Sequence, residues 1–374
     1  MKIKISVILL LVLNILAAFC QASHKQNQAE RSLNEEVDKA GLKFTSNPVH
    51  VGLSIGIVEN GSSHTYNYGS IEKGRQVKPT AKTIYEIASI TKSFTGILLA
   101  HAVLEKKISL NDDVTKYLDG SYPGLVYEGH SVKIINLANH TSGLPKNVPD
   151  YKKSLSPEQI INLYKNVSEK RFLDEVTKIK INRIPGSQFN YSNAGAQLIG
   201  IILEKVYHMS YADLVKKYIT KPNHMEDTRF SVNYSDKARF AKGYNEKGMQ
   251  MPLLLQWVSV PAAASIKSTV DDMLSYLKVN MNEKAPAIAL AHQVTFKHSA
   301  EGDNDIGLFW FSKTLPNGTR EVMHAGGSFG TTTYCLVCPS QHIGIVCLCN
   351  DAAPGTEHEL TIMCDDLLSR LYKK

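Results

Sequence analysis

The feature that most constrains this chain is a Ser-x-x-Lys tetrad at the start of the apolar, helix-like stretch 88–100. Ser89 and Lys92 are three residues apart, so a helix that begins near Ser89 places both side chains on one face. A serine hydroxyl becomes a nucleophile when a neighbouring base takes its proton, and a lysine in a partly buried pocket can be that base. In isolation, the tetrad is more typical of a helix-capping serine beside a solvated lysine.

Two motifs further along the chain favour the catalytic interpretation. Tyr-x-Asn is formed by Tyr191 and Asn193, and His-x-Gly-Gly by His324, Gly326 and Gly327. Ser-x-x-Lys, Tyr-x-Asn and a basic residue-x-Gly, in this order, resemble the serine β-lactamase and penicillin-binding protein superfamily. The tyrosine of the second motif points to the class C β-lactamase branch, which also includes D-alanyl-D-alanine carboxypeptidases, D-amino-acid peptidases and esterases. The resemblance extends over nearly all of the chain after its first 22 residues.

The resemblance implies a role for each motif residue. Ser89 is expected to attack the substrate carbonyl, and the backbone N–H groups of Ser89 and Gly327 to form the oxyanion hole. Lys92 and Tyr191 are both candidate general bases, and the choice stays open because a tyrosine between cations also ionises more readily. Asn193 is expected to hydrogen-bond Lys92 and the amide side chain of the substrate.

The third motif departs from the Lys-Thr-Gly that is usual in β-lactamases. His324 replaces the lysine and Ala325 the threonine, so two groups that help to bind the substrate carboxylate are missing. An imidazole is mostly neutral near pH 7, and alanine donates no hydrogen bond. We therefore expect poor turnover of β-lactams and of D-alanyl-D-alanine peptides. His324, Gly326 and Gly327 are still expected to line the substrate site, and Asn147 corresponds to a substrate-amide-binding glutamine of class C enzymes.

Two classes of function are compatible with these motifs. The first is a secreted serine hydrolase that acts through an acyl-enzyme on an amide, β-lactam or ester bond. The second is a catalytically inactive, cell-wall-binding protein related to penicillin-binding proteins. The intact first two motifs favour the hydrolase, and only the altered third motif favours the second class. We expect a small-molecule or peptide substrate, with a cell-wall peptide as one candidate, and a monomer. The chain has no metal-ligand, phosphate-loop or dinucleotide motif, so no cofactor is expected.

The order of predicted elements indicates a mixed α/β (α+β) fold. The resemblance implies an antiparallel sheet flanked by helices, with an all-helical unit inserted in the middle of the chain. We expect the sheet unit to comprise residues 23–88 and 255–374, and the helical unit to comprise residues 89–254, with the active site in the cleft between them. The whole of residues 23–374 is then one β-lactamase-like serine hydrolase domain.

Hydrophobic periodicity and turn signals predict the individual elements. An Asn-Gly pair at residues 60–61 indicates a hairpin turn, and Ser156 to Gln159 form a capping box that starts a helix. Strands are predicted at Val49–Val58, His64–Tyr68, Ile306–Phe311, Arg320–His324, Thr331–Cys338 and Ile343–Leu348. Helices are predicted at Glu30–Leu42, Ala194–Val206, Tyr211–Tyr218, Thr269–Met281 and Glu357–Tyr372.

Residues 1–22 have the features of a secretory signal, with two lysines before an apolar run and small residues at a plausible cleavage site. We therefore expect a secreted or periplasmic protein. A lipid anchor at Cys20 is the less favoured alternative, because Phe19 is bulkier than lipoprotein signals normally allow. The net charge of +7 is spread along the chain without a basic run, which argues against nucleic-acid binding.

Five further cysteines follow in the last part of the chain: Cys335, Cys338, Cys347, Cys349 and Cys364. Residues three apart on a strand point to opposite faces, so the first two are poorly placed to share a metal ion. We interpret the cysteines as small apolar side chains of a buried sheet. One cross-strand disulfide stays open in an oxidising compartment, and the odd count leaves at least one thiol free.

Overall fold

The computed structural model describes residues 31, 33–149, 155–165, 167–252, 261–298 and 304–372. The predicted signal at residues 1–22 and Cys20 lie outside this part. The strands are β1 (Gly52–Glu59), β2 (Ser62–Gly69), β3 (Tyr85–Glu86), β4 (Val126–Tyr127), β5 (His130–Ser131), β6 (Lys267–Ser268), β7 (Asp305–Ile306), β8 (Phe311–Thr314), β9 (Arg320–Gly327), β10 (Thr332–Cys338) and β11 (Ile343–Cys349). Seven of them form one sheet in the order β2-β1-β11-β10-β9-β8-β7.

The helices follow the same chain order. They are α1 (33–46), α2 (Thr91–Leu104), α3 (Ile134–Ala138), α4 (Pro157–Lys165), α5 (Glu169–Val176), α6 (Asn193–Tyr207), α7 (Tyr211–Val215), α8 (Pro261–Ala264), α9 (Val270–Met281), α10 (Pro286–His292) and α11 (Thr356–Leu371). These elements confirm the predicted mixed fold of an antiparallel sheet flanked by helices. The predicted division at residues 88/89 and 254/255 stays a prediction.

The first and last long strands, β1 and β11, are neighbours in the interior of the sheet. β1 pairs antiparallel with β11, with Leu53 opposite Cys349, and the same strand pairs with β2 on its other side. The β1–β2 turn has positive φ at both Asn60 (50°) and Gly61 (86°), as a two-residue hairpin turn of this hand requires. The central strands are buried on both faces, which explains why they are almost continuously apolar.

Helices cover both faces of the sheet. On one face, α1 and α11 enclose a core that includes Val37, Phe44, Leu360 and Leu367. On the other face, α9 packs on the sheet, α2 contacts α9 through the stacked rings of Phe94 and Tyr276, and α6 packs against α2. Active-site elements therefore come from opposite ends of the chain, since α2 lies early and β9 late.

One predicted strand was wrong. Ile306–Phe311 is not continuous, because the chain leaves the sheet between β7 and β8 and turns through Phe309, which has φ of +62°. Two hydrogen bonds to other elements stabilise this bend: Phe309 N donates to Ala138 O (2.7 Å) and Leu308 N to Ala291 O (2.9 Å). The predicted helix at Tyr211–Tyr218 is also modified, because α7 widens into a π turn after Val215.

The five described cysteines are free and buried. Cys335 faces the α2 side of the sheet and Cys338 the α11 side, as strand geometry predicts. Cys347 Sγ on β11 lies 3.4 Å from Cys364 Sγ on α11. This close pair of thiols therefore lies between a strand and a helix rather than between two strands.

A buried polar network fastens the start of α11 to the sheet. Asp351 accepts hydrogen bonds from Thr356 Oγ1 (3.0 Å) and Cys349 Sγ (2.9 Å), and His50 Nδ1 lies 3.3 Å from the same carboxylate. His50 Nε2 lies 3.1 Å from Glu359 on the next turn of the helix. His50, Cys349 and Asp351 are spaced closely enough to hold a metal ion, but their polar atoms already bond to one another. In the described part of the chain, we find no helix of sufficient length and apolarity to span a membrane.

Candidate active site

The candidate nucleophile lies on a short 3-10 turn, Ala88–Ile90, that leads directly into α2. Ala88 has φ of +48°, a conformation that non-glycine residues rarely adopt. Ile87, just before it, is held by two hydrogen bonds: its N–H donates to Ile266 O (3.1 Å), and its carbonyl accepts from Thr333 Oγ1 (3.0 Å). The strained turn therefore lies on a rigid support, which places Ser89 at the edge of the cleft.

Lys92 lies one turn after Ser89, as the motif spacing predicts. Its Nζ is 3.0 Å from Ser89 Oγ and 2.7 Å from the carbonyl oxygen of Ala263, to which it donates. The side chain is completely buried, and Nζ lies 4.9 Å from the centre of the Tyr191 ring.

The pKa of Lys92 is well below the ordinary value for lysine. Burial is the main cause, and the positive charge of Lys146 lowers the pKa further. Among the described residues no carboxylate pairs with Lys92, so nothing opposes these two effects. The neutral amine is therefore favoured, and a neutral amine beside a hydroxyl can accept its proton.

Tyr191 lies on the other side of the candidate nucleophile, and its hydroxyl hydrogen-bonds that of Ser89. Burial raises the pKa of Tyr191 above the ordinary value, the contact with Ser89 opposes this, and the carboxylate of Glu357 adds to it. The expectation that neighbouring cations make this tyrosine easier to ionise was wrong. No positive charge is among the causes that shift the pKa of Tyr191, so the effect of burial prevails.

His140 supports Tyr191 from behind, a role that the sequence did not reveal. The His140 and Tyr191 rings are tilted, with centroids 4.5 Å apart, and His140 Nδ1 accepts a hydrogen bond from the backbone N–H of Ser192 (3.2 Å). The proton of the neutral ring is therefore on Nε2, which has no partner among the described residues. Burial is the first cause of a His140 pKa well below the usual value.

Asn193 does not contact Lys92 as we expected. Its Nδ2 donates to Asn147 Oδ1 (2.7 Å) instead, and the backbone N–H of Asn193 donates to Lys146 O (2.7 Å). The Oδ1 atom of Asn193 is buried and has no partner in the described part of the chain. The structure thus brings Asn147 and Asn193 together, and it leaves an amide oxygen free to accept from a substrate.

His324 is buried in β9 and is neutral. Its Nδ1 lies 2.6 Å from the carbonyl oxygen of Ala325 and donates to it, so Nε2 carries a lone pair. Burial, followed by the charge of Lys92, lowers the pKa of His324 to about 3. Within the described residues Nε2 has no hydrogen-bond partner. The position that carries an ammonium group in Lys-Thr-Gly enzymes is therefore occupied by a hydrogen-bond acceptor.

The two glycines after this histidine meet different surroundings. A Cβ on Gly326 would lie 2.4 Å from Thr333 Oγ1, 2.5 Å from Ile87 O and 3.2 Å from Ser89 N. A Cβ on Gly327 would meet nothing within 4 Å, since this residue faces the open cleft. β9 can therefore pack against the nucleophile turn only because residue 326 lacks a side chain.

A cavity of about 540 Å³ opens over these residues and contains charged groups that sequence reasoning missed. Its lining includes Ser89, Tyr191, Asn193, His324, Ala325 and Gly327. Lys146 lines one part, and Glu357 on the first turn of α11 lines another. The signal for Lys146 was present, because it adjoins Asn147, whereas no local pattern links Glu357 to Ser89.

Comparison with known proteins identifies the class. The family described as Beta-lactamase matches residues 42–364. Protein flp of Staphylococcus aureus (strain MRSA252) is 29% identical over 314 residues, which cover 80% of this chain and 59% of that protein. A β-lactamase of Providencia stuartii is 27% identical over 336 residues, covering 81% of this chain and 83% of the relative. The chain thus spans less than two thirds of the length of the staphylococcal protein.

Solved structures agree on the fold. A β-lactamase/D-alanine carboxypeptidase from Yersinia pestis has a TM-score of 0.79 at 20% identity, covering 91% of this chain and 98% of that one. A class C β-lactamase in complex with cefoxitin has a TM-score of 0.77 at 23% identity, covering 91% and 99%. The chain belongs to the Beta-lactamase family, and its fold is that of the serine hydrolases of this family.

Proposed function

We propose that this protein is a serine hydrolase that acts through an acyl-enzyme at Ser89 on ester or amide substrates without the carboxylate of β-lactams. The observation that carries the proposal is the buried Lys92, whose Nζ lies 3.0 Å from Ser89 Oγ and has no carboxylate partner among the described residues. A lysine that served only to support the fold would cost free energy by this burial.

Acylation begins when Ser89 Oγ attacks the substrate carbonyl and its proton passes to the neutral amine of Lys92. The lowered pKa of Lys92 supports this assignment, and the raised pKa of Tyr191 argues against a tyrosinate base. Negative charge then develops on the carbonyl oxygen, where the backbone N–H groups of Ser89 and Gly327 act as donors.

Collapse of the tetrahedral intermediate breaks the bond to the leaving group, which must take up a proton. Tyr191 is a neutral phenol next to Ser89, so its hydroxyl can pass this proton on while it receives another from Lys92. Deacylation repeats the sequence with water as the nucleophile. The Oδ1 atom of Asn193, which has no partner among the described residues, accepts a hydrogen bond from the substrate.

The third motif supports a substrate without a carboxylate. His324 Nε2 carries a lone pair in a buried position, and Ala325 presents a methyl group. A carboxylate placed against an acceptor gains no hydrogen bond and is repelled. Esters and amides whose leaving groups are neutral or cationic avoid this cost.

The test is reaction of the purified protein with a fluorophosphonate and with short-chain nitrophenyl esters, followed by intact-mass spectrometry. We expect one adduct at Ser89, ester turnover in the wild type, and loss of both in Ser89→Ala. Ser93→Ala serves as a control at the next serine of the same helix. A correctly folded wild type that forms no adduct would favour the wall-binding alternative instead.

The remaining parts of the proposal concern location and assembly. We infer export through residues 1–22 and a monomeric mature protein. When residues 1–374 are expressed, the intact mass of the exported protein should match a chain that starts at residue 23. Light scattering should give the mass of one chain. Retention of residues 1–22, or a lipid-sized mass increase at Cys20, would contradict release.

A further inference from the structure

The cavity above Ser89 extends across the β9 edge to the last helix, α11. Glu357 and Thr361 are one helical turn apart, and both line this cavity. The carboxylate of Glu357 has no ion-pair partner within the described part of the chain, and its charge acts on Tyr191. Glu357 is thus an anion without an ion-pair partner among the described residues, and it acts on Tyr191, the residue proposed to protonate the leaving group.

Three aromatic side chains share the cavity with Glu357. Tyr191, Phe311 and Tyr334 line the same cavity, and Tyr334 lies directly opposite Ala325 in the β9–β10 ladder. The methyl group of Ala325 leaves this space open. Aromatic faces attract cations through the quadrupole of the ring, and quaternary ammonium groups are the ligands that such sites bind well.

The other charges near this end do not cancel that of Glu357. Lys313 also lines the cavity, but its Nζ lies 3.1 Å from the carboxylate of Asp365, which offsets its charge. His324 is neutral at physiological pH. The remaining cation that lines the cavity, Lys146, is exposed, and its charge acts on Lys92. Among the described residues, Glu357 is therefore the cavity-lining carboxylate that no cation offsets.

From these contacts we propose that Glu357, with the aromatic side chains around it, forms a subsite for a cationic leaving group. The substrate class is an ester or amide whose departing alcohol or amine carries an ammonium group. This inference deepens the proposed hydrolase function and rests on it. The subsite has the opposite sign to one that holds the carboxylate of a β-lactam.

The test compares butyrylcholine with its neutral isostere, 3,3-dimethylbutyl butyrate. We expect kcat/KM of the wild type to favour the cationic ester by about tenfold, which lies between the effects of exposed and desolvated cation–aromatic contacts. In Glu357→Gln the ratio of the two kcat/KM values should fall towards one. Asp366→Asn is the matched control, because it removes one exposed carboxylate from the same helix outside this cavity. Equal preference in wild type and Glu357→Gln would overturn the subsite.

A binding measurement separates this inference from the proposed hydrolysis. Calorimetry on Ser89→Ala should show tighter binding of butyrylcholine than of the neutral ester. In the double variant Ser89→Ala with Glu357→Gln, the two affinities should be equal. If Ser89→Ala binds butyrylcholine more tightly but the wild type hydrolyses neither ester, the subsite is supported and the hydrolase proposal is contradicted. If the wild type hydrolyses both esters and Ser89→Ala binds them equally well, the hydrolase proposal is supported and the subsite is contradicted.

Discussion

At the scale of single residues, Lys146 tunes the candidate base. Its side chain is exposed, yet its positive charge lowers the pKa of the buried Lys92. Lys92 must be neutral to accept a proton, so kcat/KM should fall at low pH where this amine becomes protonated. Lys146→Met removes the nearby charge and raises the pKa of Lys92, so we expect the acid limb of the pH–rate profile to move to higher pH.

Lys146→Arg keeps the charge and should leave the acid limb in place. The profile is measured with a neutral ester, whose own charge does not change with pH. High salt should shrink the difference between wild type and Lys146→Met, because solvent-exposed charges are screened. If the acid limb of the pH–rate profile stays at the same pH in Lys146→Met, a group other than Lys92 controls it.

His324 and Ala325 are the residues that test substrate charge. The double substitution His324→Lys with Ala325→Thr restores an ammonium and a hydroxyl where β-lactamases hold the substrate carboxylate. A gained charge-assisted hydrogen bond is worth about 1.5–3 kcal/mol. This corresponds to roughly 10–150-fold in acylation rate if the bond is fully formed in the transition state. We expect kcat/KM for a cephalosporin to rise by this order while that for a neutral ester changes little. A wild type that already hydrolyses cephalosporins efficiently would refute the argument.

The residue pairs that could be predicted are those set by local spacing. Ser89 and Lys92 share one helical turn, so their contact follows from the sequence. The partner of Asn193 and the raised pKa of Tyr191 did not follow, because burial and neighbours from distant segments decide both. Glu357 was missed for the same reason.

At the scale of elements, the contact between β9 and the nucleophile turn depends on one missing side chain. In Gly326→Ala the new methyl group would overlap Thr333 Oγ1 and Ile87 O, which are fixed in the sheet and the turn. We expect this variant to lose stability by about 1–3 kcal/mol, the usual cost of overpacking, and to acylate far more slowly. Urea unfolding and fluorophosphonate labelling rates are the measurements.

Gly327→Ala is the matched variant one residue further along. Its methyl group would project into open space, so unfolding should match the wild type. Its N–H group is retained, and any loss should therefore depend on the size of the substrate. If both alanine variants were equally stable, the close approach of β9 to the turn would not be a tight constraint.

Periodicity identified most elements, with ends that shift by a few residues. It failed at the predicted strand Ile306–Phe311, where the sequence is apolar enough for a strand. The break arises from hydrogen bonds that Leu308 and Phe309 make to Ala291 and Ala138, on segments that no local pattern connects to them. Elements built by long-range bonds are therefore the ones that sequence patterns miss.

At the scale of the whole molecule, Glu321 should make stability depend on pH. This carboxyl is fully buried in β9, where desolvation raises its pKa to about 7 and Lys313 only partly opposes the shift. The folded state thus holds a proton that the unfolded chain releases near pH 4.5. The stabilisation from this group is complete below that pH and is lost as pH rises to 7, by up to ~3 kcal/mol.

Glu321→Gln removes this proton and can keep a hydrogen bond to Tyr334, whose hydroxyl donates to Glu321 at 3.3 Å. We expect the free energy of unfolding of the wild type, relative to this variant, to fall between pH 5 and pH 8. Urea unfolding at the two pH values gives that difference. Asp366→Asn provides the exposed-carboxylate control, and parallel pH dependences for wild type and Glu321→Gln would contradict the assignment.

The family resemblance of three ordered motifs correctly predicted the architecture, including the antiparallel sheet and its flanking helices. Composition and periodicity alone indicated only a mixed fold. The order of the strands, with β1 beside β11, follows from packing across the whole chain and has no local signature.

That neighbouring pair also sets when activity can appear during synthesis. Ser89 and Lys92 leave the ribosome early, but β9, which carries Gly327, and β11, which joins β1 to β10 in the sheet, leave it near the end of synthesis. A nascent chain therefore contains the nucleophile and its base long before it contains the strand that closes their site. Pairings between strands so distant in sequence form slowly. The growing chain is thus protected from premature acylation until its final strands have been inserted.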